Sequence, residues 1–253
     1  MKRISRFKTT STNTPKDFEF LEKLEEYYSN SIGTNVEKLS NFTKYVPRQN
    51  LTYFLTKYEI FKKILNVEGA IVECGVLFGG GLMAFAQFSS ILEPINHQRK
   101  IIGFDTFSGF PRLTKHDYGS QSSLARKRGF AVDSFDDLKK CIKLYDQNRF
   151  LNHIPKVELV RGDASRTIPK YLKENPHTVV SLLYLDMDVY EPTKIALENF
   201  VPRMPKGSII VFDELNTKQF TGETKAVLDT IGIRNLRIKR FSFNTGAAYT
   251  VLC

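Results

Sequence analysis

Two aspartates follow a short apolar segment in the C-terminal half of the chain. The segment, residues 179–185, is too short for a globular helix and long enough for a buried strand. Asp186 and Asp188 come where that strand should end, and Pro192 follows at a good first position for a helix. Two carboxylates at the end of a buried strand cost free energy unless a cation or a substrate needs them. We therefore interpret the pair as part of a ligand site, in preference to one helix cap and one solvated side chain.

A second acidic pair ends the next predicted strand. Residues 208–215 read as this strand, and they contain Asp213 and Glu214. In open α/β sheets, ligands bind outside the carboxyl ends of the strands. We therefore expect the second pair to lie at the same edge as Asp186 and Asp188.

A glycine-rich turn lies earlier in the chain, between an apolar strand and an apolar helix. The strand begins at Ile71 and ends near Glu73 and Gly75, and the glycines at 79–81 lead into a helix over residues 82–92. Glycines let the backbone approach a ligand closely, and a helix N-terminus presents free N–H groups to it. The spacing is neither the GxGxxG of dinucleotide-binding proteins nor a GxxxxGK[ST] phosphate-binding loop.

Two further aspartates end predicted strands. Asp105 closes the second strand, where an acidic residue commonly binds the hydroxyls of a ribose, and its alternative role is in a turn. Asp163 follows a third strand, over residues 157–160. It could contact the adenine amino group of a cofactor or cap a helix over residues 165–174, and the sequence does not separate these roles.

Strands that alternate with helices predict an α/β fold with a doubly wound, mostly parallel sheet. Residues 236–243 and 247–252 predict a terminal antiparallel hairpin with its turn at residues 244–246. Helical spacing over residues 18–28 and 50–65 predicts an N-terminal helical arm. We expect an arm over residues 1–50, disordered to about residue 16, and one domain over residues 51–253. Residues 112–132 lack periodicity and are expected to form a mobile lid or substrate insert.

Composition limits the class of protein. The chain has 253 residues, of which 42% are hydrophobic, and this suits one α/β domain with an appendage. Three cysteines without a CxxC pair and an N-terminus without an apolar signal core predict a reduced, cytoplasmic protein. The net charge of +10 is scattered over predicted helices, and no nucleic-acid-binding signature accompanies it. We expect no nucleic-acid partner and no membrane association, and we expect the N-terminal arm to pack either on the sheet or on a second subunit, which would make a homo-oligomer.

Four segments in order resemble the macrocin, mycinamicin and novobiocin type of sugar O-methyltransferase, the TylF-like family. They are Glu73-Cys-Gly75 with the glycines at 79–81, the segment 103–111, the segment 185–193 and Val211-Phe-Asp-Glu214. The resemblance covers roughly residues 50–253, and the Asp-x-Asp-x-Tyr-Glu-x-Thr motif is its most specific part. It implies a class I methyltransferase fold, S-adenosylmethionine as cofactor and Mg²⁺ as metal.

The resemblance also implies roles for individual residues. Asp186 and Asp213 match the metal-binding carboxylates, and Asp188 matches the general base. Glu214 stands where the family usually has a second aspartate, and we include it among the metal ligands. Oxygen ligands without a Cys or His cluster favour Mg²⁺ over Zn²⁺. The predicted contacts to the cofactor are made by Glu73, Gly75, Gly79, Gly80, Asp105 and Asp163.

Other functions share parts of this pattern. A nucleotide-sugar glycosyltransferase could use Asp186 and Asp188 as its metal motif, and a catechol-type methyltransferase would differ only in its acceptor. The glycine turn and Asp105 favour an adenosyl ligand over a nucleotide sugar as donor, and four acids at the ligand edge would repel nucleic acid. The acceptor is expected to be a sugar that could carry a phosphate, and Arg126, Lys127 and Arg128 in the insert could meet that phosphate or be solvated.

Overall fold

A computed structural model describes residues 13–253 and divides the chain into two compact units. The first unit extends to Tyr53, and the second covers Phe54–Cys253. The first unit contains helices α1 (Pro15–Asn30) and α2 (Asn35–Ser40) and a short 3₁₀ helix (Phe42–Lys44). Helix α3 (Arg48–Lys63) continues across the boundary. No helix within residues 13–253 is long and apolar enough to cross a bilayer.

Capping residues define the helices of the first unit. Thr14 precedes α1, and its backbone N–H donates to Asp17 Oδ2 at 2.7 Å, while Thr34 and Glu37 form the same capping box at α2. Helix α1 includes the predicted helix over residues 18–28, whereas α2 was not predicted. Disorder was expected for residues 1–16. Residues 1–12 of this range lie outside the described residues, and Pro15 belongs to α1.

The second unit is built around one seven-stranded sheet. Its strands are β1 (Ala70–Cys74), β2 (Ile101–Asp105), β3 (Val157–Arg161), β4 (Val180–Leu185), β5 (Ile209–Phe212), β6 (Lys239–Phe241) and β7 (Asn244–Val251), in the spatial order β3-β2-β1-β4-β5-β7-β6. The first five strands are parallel, and β7 pairs antiparallel with β5 and β6. The predicted doubly wound, mostly parallel sheet is therefore confirmed.

Helices cover both faces of this sheet. They are α4 (Gly80–Leu92), α5 (Phe135–Asp146), α6 (Ala164–Glu174), α7 (Tyr190–Phe200) and α8 (Gly222–Thr230), and a 3₁₀ turn (Val201–Arg203) follows α7. The side chains of α3, α4 and α5 form one apolar core, and those of α6, α7 and α8 form a second. Consecutive strand residues alternate between them, since Ile71 belongs to the first core and Val72 to the second. Burial on both faces explains why β5 is a continuous apolar run and why β4 is one apart from Ser181.

Two local predictions were wrong. Pro192 was expected to start a helix, but α7 begins two residues earlier, at Tyr190. The hairpin was expected to turn at residues 244–246, but the turn lies between Phe241 and Asn244. Asn244 is buried in β7 because its amide donates to Thr56 Oγ1 at 2.9 Å, which supplies the partner that a buried amide requires.

The glycine turn between β1 and α4 brings the backbone of two strand ends into contact. Gly75 has a φ of +95°, and a Cβ there would lie 1.8 Å from the backbone oxygen of Asp186, beyond the end of β4. Gly79 has a φ of +85°, and its Cβ would lie 2.0 Å from Leu138 of α5. Gly80, the first residue of α4, would place a Cβ in open space. The turn therefore needs glycine for contact at positions 75 and 79, but not at position 80.

Replacing Gly75 with alanine should be far more harmful than replacing Gly80 with alanine. Alanine at position 75 combines an unfavourable φ with a backbone collision, and we expect Gly75→Ala to reduce the free energy of unfolding by about 3 kcal/mol or more. Gly80→Ala should change it by no more than about 1 kcal/mol, in the stabilising direction, because alanine favours a helix. Urea unfolding of both variants measures the difference, and equal losses would contradict this description of the turn.

Candidate active site

Acidic residues converge at the carboxyl ends of β4 and β5. Leu185 pairs with Phe212 in parallel register, so the next residue of each strand, Asp186 or Asp213, emerges at the same edge. The backbone N–H of Asp213 donates to the carbonyl of Leu185 at 3.1 Å, which extends the pairing past the strand ends. The structure therefore brings the two predicted acidic pairs together.

Burial and mutual repulsion make these carboxyls hard to ionise. Burial raises the pKa of Asp186 well above its ordinary value, and the charges of Asp213 and Asp188 raise it further. Burial also raises the pKa of Asp188 well above its ordinary value, with repulsion from Glu214 as the next cause. Burial, followed by repulsion from Asp213, raises the pKa of Glu214 to about 7. Such a site favours a proton or a cation.

Asp188 has an unusual backbone conformation. Its φ is +61°, and the N–H of Val189 donates to the carbonyl of Met187 at 2.6 Å across it. An i to i+2 hydrogen bond around a residue with positive φ defines a rare and strained γ-turn. The side chain is buried, with 8% of its surface exposed. A strained turn that presents a buried carboxylate is typical of a functional position.

Lys57 and Tyr184 support the acidic edge, and neither was predicted as a site residue. The Tyr184 hydroxyl donates to Asp213 Oδ1 at 2.9 Å, and Lys57 Nζ lies 3.7 Å from the centre of the Tyr184 ring. Lys57 also lies 3.8 Å from Glu73 Oε1, and its charge lowers the pKa of Glu73 and of Asp213 against the effect of burial. The sequence did contain a sign that Lys57 is buried, because this lysine lies on the apolar face of α3 between Phe54 and Phe61.

Glu223 is a further buried acid that sequence reasoning missed. It is fully buried in the first turn of α8, and its Oε1 accepts a hydrogen bond from the backbone N–H of Glu214 at 2.9 Å. Its Oε2 has no hydrogen-bond partner among residues 13–253. Burial, and then repulsion from Asp213, raises the pKa of Glu223 well above its ordinary value. This carboxylate holds the backbone at Glu214 in place. It also adds another buried acid to the edge, which a bound cation would stabilise.

Glu73 lies beneath the glycine turn. A Cβ at Gly81 would lie 2.0 Å from Glu73 Oε1, so the glycine is required to admit this side chain. In the described part of the chain Glu73 Oε2 finds no hydrogen-bond partner, and burial raises the pKa of Glu73 to about 7. The contact of Glu73 with a cofactor remains a prediction.

Asp105 and Asp163 both organise backbone at strand ends. Asp105 Oδ2 accepts hydrogen bonds from the N–H groups of Val76 and Leu77 at 2.7 and 2.8 Å, and its Oδ1 accepts one from Phe107 at 2.7 Å. It therefore shapes the glycine turn, while its predicted contact to a ribose stays a prediction. Asp163 caps α6 by accepting from the N–H of Ser165 at 3.0 Å. One of its two proposed roles is thus observed, and the contact to adenine is still a prediction.

The insert, residues 112–132, has no helix or strand but is attached to the segment that follows β5. The backbone N–H of Gln121 donates to the carbonyl of Lys218 at 2.8 Å, and that of Ser122 donates to Gln219 at 3.2 Å. Phe130 also packs against Phe220, with ring centroids 5.9 Å apart. The basic run, Arg126, Lys127 and Arg128, is exposed. Movement of the insert and its contact with an acceptor phosphate remain predictions.

The raised pKa of Glu73 predicts a pH-dependent stability. The pKa of Glu73 rises from 4.5 to about 7 on folding. Between pH 4.5 and pH 7, Glu73 is therefore protonated in the folded protein and ionised in the unfolded chain. The stabilisation is complete below pH 4.5 and is lost as the pH rises through about 7, by on the order of 3 kcal/mol. Glu73→Gln should remove this part of the slope when urea unfolding is measured from pH 5 to pH 7.5.

The exposed Glu68, which lies just before β1, supplies the control for that measurement. Glu68→Gln should leave the pH profile of the wild type unchanged. Parallel profiles for the wild type and Glu73→Gln would contradict the account of Glu73, because the other acids at the site would then explain the whole slope.

Comparison with known proteins gives matches at the level of sequence and of structure. The family model described as Macrocin-O-methyltransferase (TylF) matches residues 56–232. Demethyldecarbamoylnovobiocin O-methyltransferase of Streptomyces niveus is 24% identical over 156 residues, which is 59% of this chain and 53% of that relative. The chain thus matches about half the length of this curated relative.

Solved structures extend the comparison. The crystal structure of CalS11, a calicheamicin methyltransferase, has a TM-score of 0.90 and is 34% identical, with 94% of this chain and 93% of that chain covered. The apo structure of CalS11, described as a TDP-rhamnose 3'-O-methyltransferase, has a TM-score of 0.82 and is 32% identical, with 94% and 95% covered. The O-methyltransferase NovP, at 20% identity, 79% coverage of both chains and a TM-score of 0.58, shares the fold.

The family model covers well over half of the chain, and its match includes the glycine turn, the insert and both acidic strand ends. The chain therefore belongs to the TylF macrocin O-methyltransferase family.

Proposed function

We propose that this protein transfers the methyl group of S-adenosylmethionine to a sugar hydroxyl with the help of Mg²⁺. The observation that carries the proposal is the contact between the glycine turn and the acidic edge. Because Gly75 lies against the backbone oxygen of Asp186, a cofactor in the turn and an acceptor at the acids would be neighbours. Proximity and orientation supply much of the rate of a displacement at a methyl group, on the order of 7–11 kcal/mol at best.

The glycine turn fits the cofactor. Gly79 precedes α4 without a side-chain cap, so N–H groups of the first turn can meet a ligand. A side chain at Gly80 would meet open space, so there is room for a ligand. Asp105 fixes the backbone of the turn by accepting a hydrogen bond from the N–H of Val76. S-adenosylmethionine would supply an electrophilic methyl group on a sulfonium. The chain's own task is to bind and orient that group toward the acidic edge.

The acidic edge fits a divalent cation. Its carboxyls are buried and raise one another's pKa. The neighbouring Glu223, which Asp213 repels, has an Oε2 without a hydrogen-bond partner among the described residues. Within residues 13–253, no group of three or more His, Cys, Asp or Glu side chains is arranged to hold a metal. Mg²⁺ commonly binds one or two carboxylates and keeps several waters, so Asp186 and Asp213 suffice, with Glu214 as an added ligand. The ion would lower the pKa of a bound hydroxyl.

Asp188 is suited to take the proton of the acceptor hydroxyl. The pKa of Asp188 lies well above that of an ordinary aspartate because the side chain is buried and faces other acids. A carboxylate with a raised pKa is a better general base near neutral pH. Tyr184 and Lys57 meanwhile orient Asp213, and the insert would exclude water from the acceptor.

The acceptor is proposed to be a sugar, either as a nucleotide sugar, a glycoside or a polysaccharide unit. The description of CalS11 as a TDP-rhamnose 3'-O-methyltransferase supports a nucleotide-linked deoxysugar as the first acceptor to test. The exposed run at residues 126–128 could bind its phosphates.

Methyl transfer to TDP-rhamnose should be detectable by mass spectrometry when the protein is supplied with S-adenosylmethionine and Mg²⁺. EDTA should abolish turnover because the acids lose the cation that balances their charge, and added Mg²⁺ should restore it. Full activity in EDTA, with residual metal excluded by elemental analysis, would reject the metal site. Binding of NAD without any affinity for S-adenosylhomocysteine would reject the cofactor.

Asp188→Asn should slow single-turnover methyl transfer by on the order of 10²–10⁴, the usual contribution of a general base. The amide keeps the shape and loses the basicity, so affinities for S-adenosylhomocysteine and Mg²⁺ should survive. Asp186→Asn is the matched comparison, because it should weaken Mg²⁺ binding. Loss of Mg²⁺ binding by Asp188→Asn in proportion to its rate would make Asp188 a ligand and place the base elsewhere.

A further inference from the structure

Asp117 is a buried acid in a part of the insert whose other residues are exposed or only partly buried. Only 2% of its surface is exposed, whereas the neighbouring Tyr118 is 77% exposed. A buried carboxylate in a loop requires specific hydrogen-bond donors. Nothing in the proposed chemistry accounts for this residue, and it lies outside the four segments that carry the family resemblance.

The two oxygens of Asp117 bind donors in different elements. Oδ2 accepts hydrogen bonds from the backbone N–H and the hydroxyl of Thr114 at 2.7 and 2.8 Å, which closes a turn within the insert. Oδ1 accepts one from the backbone N–H of Tyr190, the first residue of α7, at 2.8 Å. Val189, the residue before α7, has no side-chain oxygen and provides no cap. Asp117 therefore caps α7 from a distance of more than seventy residues along the chain, as a negative charge at a helix N-terminus.

Helix α8 begins at the same carboxylate. A Cβ at Gly222, the first residue of α8, would lie 2.1 Å from Asp117 Oδ1 and 2.5 Å from the backbone nitrogen of Tyr190. The absence of a side chain at Gly222 is what lets the starts of the two helices meet at Asp117. Helix α7 follows the acids of β4, and α8 follows those of β5.

Neighbouring residues of the insert strengthen this junction. The backbone N–H of Thr221 donates to Ser120 Oγ at 3.1 Å, and the Thr221 hydroxyl donates to the carbonyl of His116 at 3.2 Å. The His116 ring also stacks on Tyr190, with 4.1 Å between the ring centroids. The insert thus contacts both segments that carry the acids.

We propose that Asp117 is a positioning residue for the methyl-transfer reaction: its bond to Tyr190 fixes the strained turn that holds Asp188. The turn has a φ of +61° at Asp188, and Tyr190 follows only two residues later. When the Tyr190 N–H is held, the turn has one end anchored in the insert and the other in β4. Asp117 touches no reacting atom, and the inference rests on the proposed role of Asp188 as the base.

A purely structural cap and a positioning residue predict different kinetics. Loss of a cap alone would reduce stability, while each folded molecule kept the wild-type kcat. Loss of positioning would reduce kcat in the folded protein, and the affinity for S-adenosylhomocysteine and the KM for the acceptor would change little. The split between kcat and KM therefore separates the two roles.

The experiment compares Asp117→Ala with Asp117→Asn in the full-length protein. Alanine removes the acceptor for the Tyr190 N–H, and we expect kcat to fall at least tenfold, with binding of S-adenosylhomocysteine within twofold of the wild type. Asparagine retains one oxygen for the Tyr190 N–H but replaces the acceptor of the two Thr114 bonds with an NH2 group, so it should lower kcat by less than alanine does, about two- to fivefold. Asp133→Ala is the matched control, because Asp133 is an exposed acid of the neighbouring segment and pairs loosely with Arg161 at 3.6 Å. It should behave as the wild type.

A double variant tests whether Asp117 acts through Asp188. The variant with both Asp117→Ala and Asp188→Asn should be no slower than Asp188→Asn alone, because a base that is absent cannot be misplaced. Rate losses that multiply, or a wild-type kcat for Asp117→Ala, would overturn the inference while the proposed function stands. Full activity of Asp188→Asn would instead refute the base, and with it the inference.

Thr114→Val provides a second route if Asp117→Ala is too unstable to purify. It keeps the Asp117 charge and removes the hydroxyl that donates to Oδ2 and that accepts a longer bond from the backbone N–H of His116 at 3.3 Å. We expect kcat to fall about two- to fivefold with unchanged binding of S-adenosylhomocysteine, and an unchanged kcat would overturn the inference.

Discussion

Repulsion among buried carboxylates at the ends of β4 and β5 is the constraint on which the rest of this structure depends. Parallel register places Asp186 and Asp213 side by side, and the γ-turn directs Asp188 into the same region. Burial raises the pKa of each of these side chains, and their charges oppose one another. Such an arrangement lowers stability without a ligand, as expected for a site selected for function.

The surrounding elements hold these carboxylates in place through contacts of different kinds. Lys57 from α3 supplies a positive charge, and Tyr184 from β4 supplies a hydrogen bond to Asp213. Gly75 lets the glycine turn reach the backbone of Asp186, and Glu223 of α8 holds the backbone at Glu214. Contacts from α3, β4, the glycine turn and α8 therefore meet at one edge of the sheet. The proposed chemistry depends on the fold because the fold brings these elements together.

The sequence predicted most of this edge because strand ends can be read from local pattern. Apolar runs followed by acids located Asp186 and Asp213, and the glycine cluster located the turn before α4. Partnerships across the fold could not be read in this way, since Tyr184 acquires its role from Asp213, and Lys57 acquires its role from Tyr184, both distant in the chain. The hairpin turn was misplaced because Asn244 is the first residue of β7, where its amide NH2 donates to Thr56 of α3, far away in the chain.

Thermal unfolding with and without Mg²⁺ tests the central claim most directly, on the wild type and on Asp186→Asn at pH 8. If repulsion among the acids dominates, Asp186→Asn in EDTA should unfold at a higher temperature than the wild type, by about 2–4 °C for each kcal/mol of repulsion removed. Mg²⁺ should raise the unfolding temperature of the wild type and have little effect on the variant. A wild type that is at least as stable as Asp186→Asn in EDTA, and that gains nothing from Mg²⁺, would contradict the account.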